Sequence, residues 1–395
     1  MMSPRYSIVG AAIVAAAALA ATGASAQGTV KIGFILPMTG QQQSTGKQIA
    51  AAARLYMQQH GDTVAGKKIQ LIIKDDGAVP DNAKRIAQEL IVNEKVNFLA
   101  GFGVTPTALA VAPLATEAKV PEIVTAAGTS IITERSPYIV RTSFTLAQST
   151  VPMADWALKN GIKKVVSMVS DYAPGIDAEK SFQERFTQGG GQIIESIRFP
   201  LANPDFAPFL QRARDAKPDA IFVFVPSGQG GVFVKQFVER GLDKAGIKII
   251  GPGDVTDDDL INGMGDQLIG TVTAHLYSAA HPSATNKAWV EAFKKANNGM
   301  RPNFMAVSGY DGMHVIYEAL KKTNGATDGD KLIGAIKGLK WESPRGPVSI
   351  DPETRDIVQN IYIRKVEKVN GELYNVEFAT FEAVKDPVKA AEKKK

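Results

Sequence analysis

The constraint that most narrows the fold of this chain is an alternation that runs twice along it. Short β-rich apolar runs at residues 30–37, 68–74, 97–102 and 122–126 are separated by stretches of helical period at 46–60, 81–94 and 105–119. This βαβα order predicts a parallel sheet covered on both faces by helices. Helix starts carry fitting residues: Asp81 is placed to cap the second helix, and Thr105 followed by Pro106 reads as a cap with proline at the first helical position. The alternation pauses over 136–148, where Pro137 stands among several hydroxyls. It then resumes with strands at 165–169, 192–199, 220–225, 247–250 and 271–276, and amphipathic segments such as 176–188 and 206–216. Two similar α/β lobes in tandem are expected. Helices follow at 285–297, 303–322 and 328–337, then strands at 347–350, 357–369 and 372–381. A segment arriving so late must be added to one or both lobes, so the chain crosses between them more than once and forms a hinge.

The amino terminus reads as an export leader. Arg5 is the sole charge ahead of an apolar run at 8–21, and Ala24-Ser25-Ala26 offers the small-x-small pattern of a cleavage site, which predicts a mature chain beginning at Gln27. The run is shorter than the roughly 20 residues that span a bilayer as a helix. The chain has no cysteine. That excludes a disulfide, a thiolate metal site, a cysteine nucleophile and a lipid-bearing cysteine anchor. An exported chain without anchor or lipid is expected in the periplasm of a two-membrane bacterium. Lysine and arginine outnumber the acids 45 to 40; without Arg5 the balance is 44 to 40, or +4, and the basic residues are scattered. Nucleic acid is therefore not an expected partner, and the closing run of lysines at 393–395 reads as a frayed, solvated tail.

In open parallel sheets, ligands bind beyond the carboxyl ends of the strands, where loops and helix amino termini present N–H groups. Here those loops are 37–45, 103–107, 126–130, 170–175, 226–231 and 252–257, all rich in Gly, Thr, Ser, Pro or Gln. Such composition lets backbone approach a small ligand and donates neutral hydrogen bonds. Catalytic patterns are missing. His60, His275, His281 and His314 form no HExxH, and the stretch from Gly40 to Lys47 has one residue too many for a phosphate loop, with Gln48 where a hydroxyl should hold magnesium. Gly101-Phe102-Gly103 lacks the third glycine of a dinucleotide fingerprint, and Asp257-Asp258-Asp259 reads as a helix-start charge cluster. No catalytic residue, cofactor or metal is expected.

Several segments together carry a resemblance. Residues 31–40 (KIGFILPMTG), residues 71–76 ending in a double Asp, residues 101–107, the AAGT at 126–129, the SDYAPG at 170–175 and the IGP at 250–252 are similar to the leucine/isoleucine/valine-type periplasmic binding proteins. These are solute receptors of ATP-driven importers, and the likeness runs in order over most of the mature chain. It implies a type I periplasmic-binding fold, with two doubly wound parallel-sheet lobes joined by a three-crossover hinge and closing on the ligand as a clamshell. The division implied is a leader at 1–26, one lobe at 27–146 plus 277–358, and the other at 147–276 plus 359–395. A small-molecule carboxylate as ligand, a membrane permease as partner, no enzymatic activity and a monomeric state go with it.

Carried over residue by residue, the resemblance places the ligand's carboxylate at Thr105 in the loop that begins with Gly103, and at Ala126 with Gly128 or Thr129. The acid that receives an amino acid's ammonium in the family falls at Gly253 here, with Asp254 one later. Family aromatics that wall an aliphatic side chain fall near Thr45 and Pro226, and Tyr172 sits two residues early. These departures favour a carboxylate without the amine, such as a benzoate derivative whose ring hydroxyl Asp254 accepts. Branched-chain amino acids remain the alternative ligand, ligand sensing the alternative role, and a cap for the Asp257 region the alternative job of Asp254.

Overall fold

The computed structural model describes residues 28–393 together with Met1, so the expected leader and the start at Gln27 lie outside the described residues. The first lobe is built on six strands in the order β2-β3-β1-β4-β5-β6: β1 (Thr29–Leu36), β2 (Thr63–Val64), β3 (Lys67–Asp75), β4 (Phe98–Gly101), β5 (Glu122–Val124) and β6 (Ile139–Arg141). All pairings are parallel except the short β2–β3 edge. Strand β1 is central, with Ile32 opposite Leu71 on one side and Phe98 on the other. Its apolar run is continuous because both faces are covered. Val30, Ile32, Phe34 and Leu36 pack under α1 (Gln43–His60), while Ile35 faces α2 (Pro80–Val92) and α3 (Thr105–Ala118).

The second sheet runs β12-β13-β14-β11-β10-β9-β7-β8, with β15 on β14. Its parallel part comprises β7 (Lys164–Ser170), β8 (Gln192–Phe199), β9 (Ala220–Phe224), β10 (Lys248–Pro252) and β11 (Val272–His275). Helices α4 (Leu146–Lys159) and α5 (Ala173–Gln188) cover one face, and α6 (Ala207–Asp215) and α7 (Gly230–Glu239) the other. The late segment divides. Helices α8 (Ala284–Ala296), α9 (Phe304–Lys322) and α10 (Gly329–Ile336) join the first lobe, α9 lying so close to α1 that a Cβ on Gly309 would meet Ile49 at 3.0 Å. Strands β12 (Lys340–Ser343), β13 (Gly346–Ile350), β14 (Ile357–Val369) and β15 (Glu372–Val384) add to the second sheet, antiparallel, before α11 (Pro387–Glu392).

The chain thus passes between the two sheets after β6, after β11 and again after α10, where β12 joins the second sheet. Buried Arg345, in the turn between β12 and β13, ties the first passage to β14. Its guanidinium donates to the carbonyls of Thr142 (2.6 Å) and Ser143 (3.3 Å) and to Gln359 Oε1 (2.9 Å), and pairs with Asp311 at 2.7 Å. Gln359 Nε2 donates in turn to the Ser143 carbonyl and to Gln148. A hinge whose strands share one polar network moves as a unit.

Some local expectations give way. Helix α2 begins at Pro80, whose fixed φ and missing N–H suit the first turn, so Asp81 lies inside it and caps nothing. Thr105 likewise lies inside α3 after an extended Val104, and its hydroxyl goes to Thr129 rather than to a cap. The pause at 136–148 hides β6 and the start of α4, because a three-residue strand and a helix containing Pro152 carry weak periodicity. Asp257, Asp258 and Asp259 start no helix: they turn to Ser227, Asn375 and Ser44 respectively. At the other end α11 is docked, with Lys393 paired to Glu353, while residues 394–395 lie outside the described residues.

Candidate functional site

The carboxyl ends of β4, β5, β7, β9 and β10 converge on one narrow cavity between the lobes. From the first lobe come Gly103 and Thr105 after β4, and Ala126 and Gly128 after β5. Gly103 is required by close approach, since a Cβ there would lie 2.5 Å from the Pro37 ring. Gly128 is required in the same way by Leu146 Cδ2, at 2.3 Å. The backbone here keeps the alternation of a strand. Thr125 and Ala127 donate to the carbonyls of Gly101 and Phe102, whereas among the described residues the N–H groups of Ala126, Gly128 and Thr105 find no acceptor. Three such donors beside the amino terminus of α3 form an edge suited to an anion.

From the second lobe come Tyr172, Pro226 and Asp254, with Phe224 at the end of β9. Asp254 is 3% exposed, and among the described residues its Oδ2 has no hydrogen-bond partner. Burial pushes its carboxyl up to about 7, against smaller opposing effects of a backbone N–H and of Arg364. Burial, and then the charge of Asp254, raise the Tyr172 phenol well above its ordinary range. Tyr172 and Phe224 lie nearly parallel, 6.2 Å between ring centroids and 18° between planes. The short helical turn that contains Asp254 has no side-chain cap bond, so no capping role accounts for the carboxylate.

Seven of the nine residues singled out from the sequence line this cavity: Gly103, Thr105, Ala126, Gly128, Tyr172, Pro226 and Asp254. Thr129 stands behind it, its Oγ1 2.9 Å from that of Thr105. Thr45 stands back as well, in the first turn of α1 near Gly103, with a buried hydroxyl that has no partner. Gly253 corrects one step of the sequence argument. A Cβ at 253 would lie 2.0 Å from Arg364 Nη2 and 2.7 Å from His275 Cβ, so a side chain there would enter the second lobe's packing. The acid of the cavity is Asp254, and the site does not lack one. Sequence reasoning missed Phe144, Leu146, Phe224 and Met305. Phe224 lies one residue before the end of an expected strand and was findable as a strand-end residue; Phe144 lies in the first interlobe passage, where no local pattern marks it.

Residues 29–371 match the periplasmic binding protein family. The chain belongs to that family. It is 45% identical over 362 residues to the Leu/Ile/Val-binding protein homolog 6 of Brucella melitensis, covering 91% of this chain and 93% of that one. Among solved structures, the solute binding protein of an ABC transporter from Rhodopseudomonas palustris BisB5, in complex with 3,4-dihydroxybenzoic acid, is 74% identical, with a TM-score of 0.90 over 91% of this chain and 99% of its own. The corresponding protein of Rhodopseudomonas palustris HaA2, in complex with p-hydroxybenzoic acid, is 44% identical, with a TM-score of 0.89 over 92% of this chain and 100% of its own. Like these periplasmic binding proteins, the chain is a type I fold of two parallel-sheet lobes. No helix among the described residues is long and apolar enough to cross a membrane.

Proposed function

We propose that this protein is the periplasmic solute receptor of an ATP-driven importer and captures a hydroxylated aromatic carboxylate in the cleft. The observation that carries this reading is the chemical difference between the two sides of the cavity. The first lobe offers unsatisfied N–H donors and the Thr105 hydroxyl, and the second offers the unpartnered carboxyl of Asp254, with Phe144, Phe224 and Tyr172 between. A benzoate carboxylate suits the donors, and a ring hydroxyl opposite it donates to Asp254. The ligands in the two Rhodopseudomonas structures support the choice of class.

Asp254 also favours a second reading, because an ionised Asp254 would receive the ammonium of leucine, isoleucine or valine. The name of the Brucella relative accords with it. A melting screen separates the two. A ligand that binds only the folded state stabilises it by about 2.7 kcal/mol at a hundred times its dissociation constant. Hydroxybenzoates raising the melting temperature where the branched-chain amino acids do not is the expected result; the reverse ranking overturns the reading.

A monomeric receptor without catalytic activity, delivering its ligand to a membrane permease, completes the proposal. The lobes then divide near residues 27–146 plus 277–358 and 147–276 plus 359–395, the β12–β13 hairpin of the first span pairing with the edge of the second sheet. Export through a leader cut before Gln27 predicts a secreted protein whose intact mass lacks the first 26 residues. A mass retaining Arg5 would refute the cleavage.

A further inference from the structure

The anion-binding edge has no cation in its lining, yet a fully buried one stands directly behind it. Arg141, the last residue of β6, does not line the cavity. Its Nη1 donates to the carbonyls of Ala127 (3.1 Å) and Phe144 (2.9 Å), and its Nη2 to the carbonyl of Thr129 (2.7 Å). Nε lies 2.9 Å from its counter-ion, Asp356 Oδ1. The other oxygen of Asp356 is held by Lys389 at 2.6 Å. Nη1 and Nη2 of Arg141 are thus turned toward the 127–129 loop and Nε toward Asp356, while Asp177 and Asp386, both bonded to Ser130, also feel its charge.

The carbonyl of Ala127 and the N–H of Gly128 belong to one peptide group. A cation bonded to the carbonyl draws electron density through that group and makes the N–H a stronger donor. The Gly128 N–H is one of those without a protein acceptor at the cavity. The Thr129 carbonyl shares its peptide group with the N–H of Ser130, which donates across the cleft to Asp177 Oδ2 of α5 at 3.1 Å.

We propose that Arg141 is the remote cation of the binding site: it acts on the ligand's carboxylate through the Ala127–Gly128 peptide group and on lobe closure through the Thr129–Ser130 peptide group, touching neither the ligand nor the second lobe. It is a positioning residue. The arrangement stabilises a buried carboxylate without a direct ion pair, whose desolvation would count against binding. This inference rests on the carboxylate-binding reading of the site.

The test uses 4-hydroxybenzoate labelled with ¹³C at its carboxyl and the variants Arg141→Lys and Arg141→Met. Asp356 keeps Lys389 as its partner when Arg141 is replaced, so neither variant leaves that carboxylate unpaired. Calorimetry is expected to show binding about tenfold weaker in Arg141→Met, with Arg141→Lys between it and the parent. The carboxyl resonance of bound ligand, followed as pH is lowered, is expected to protonate about one pH unit higher in Arg141→Met, because loss of anion-selective binding is linked to proton uptake. A scaffold role would weaken the acid and its anion alike and leave that titration in place. Unchanged affinity in Arg141→Met, weaker binding with an unmoved titration, or complete loss of binding in both variants each overturn the proposal. Where Arg141→Met does not fold, Arg141→Lys against the parent decides by the same two readings. Failure of the parent protein to bind 4-hydroxybenzoate would instead reject the ligand class itself.

Discussion

Replacing Asp254 by Asn should stabilise the empty protein in mild alkali while weakening only ligands that use the carboxylate. Asp254 is 3% exposed with one oxygen unpartnered, and burial carries its titration from the ordinary 3.8 to about 7. The folded state therefore binds this proton more tightly than the unfolded chain. Stability contributed by the protonated form is fully present below about pH 4, falls as pH rises, and is gone above about pH 7. At 1.36 kcal/mol for each pH unit, the span from 3.8 to about 7 bounds the cost of ionising Asp254 at about 4 kcal/mol. Asparagine keeps the shape and removes that cost. Denaturant unfolding at pH 5 and pH 8 should show Asp254→Asn gaining 2 to 4 kcal/mol, as an order of magnitude, more at pH 8 than at pH 5. The difference between variant and parent is the quantity to read, because Asp76 and Asp258, each raised to about 6 by burial, tilt both profiles the same way. In calorimetry 4-hydroxybenzoate should bind roughly five- to tenfold more weakly, since a charge-assisted hydrogen bond becomes a neutral one, and benzoate should be nearly unaffected. Parallel stability profiles for variant and parent would show that Asp254 is not a strained buried acid. Loss of benzoate along with 4-hydroxybenzoate would remove it from the ring-hydroxyl role.

Thr105→Val keeps the shape but removes a hydroxyl from the anion-binding edge. It should cost about 1.5 to 3 kcal/mol of binding by calorimetry and less than about 1 kcal/mol of ligand-free stability, since Thr105 makes no cap bond; unchanged affinity would move the carboxylate elsewhere. Gly128→Ala brings a methyl to 2.3 Å from Leu146 Cδ2, and because both residues line the cavity, the shift that relieves the clash should weaken binding by about tenfold or more. Calorimetry showing the parent's affinity would mean that Leu146 yields away from the ligand. The lobes touch across the cleft through Gln41–Asn203, Ser44–Asp259 and Ser130–Asp177. Small-angle scattering should show a smaller radius of gyration on adding ligand, because only the closed form lets both lobes contact one molecule; an unchanged radius at saturation would argue against closure.

Periodicity alone determined the elements that matter most to the architecture. The sequence placed β8 and β14 at the residues where they occur, and β1, α3 and α9 to within a residue or two; β1, β14, α3 and α9 bury an apolar face whose period local sequence must carry, while β8, an edge strand, buries only Ile197 and Phe199. Strand-end loops were legible for the same reason: where the apolar period stops, the loop composition begins, and Thr105, Ala126, Gly128, Tyr172, Pro226 and Asp254 all lie there. What the tertiary structure decided is everything set by contacts between distant segments. Which of two adjacent positions, Gly253 or Asp254, faces the cavity depends on Arg364 and His275 occupying the space beside residue 253. Phe144 enters the site because the first passage between lobes carries it there, and Arg141 reaches the 127–129 loop only when β6 lies beside β5. Local sequence fixes which face of an element is apolar; the direction of a single buried side chain is fixed by the atoms that exclude it from everywhere else.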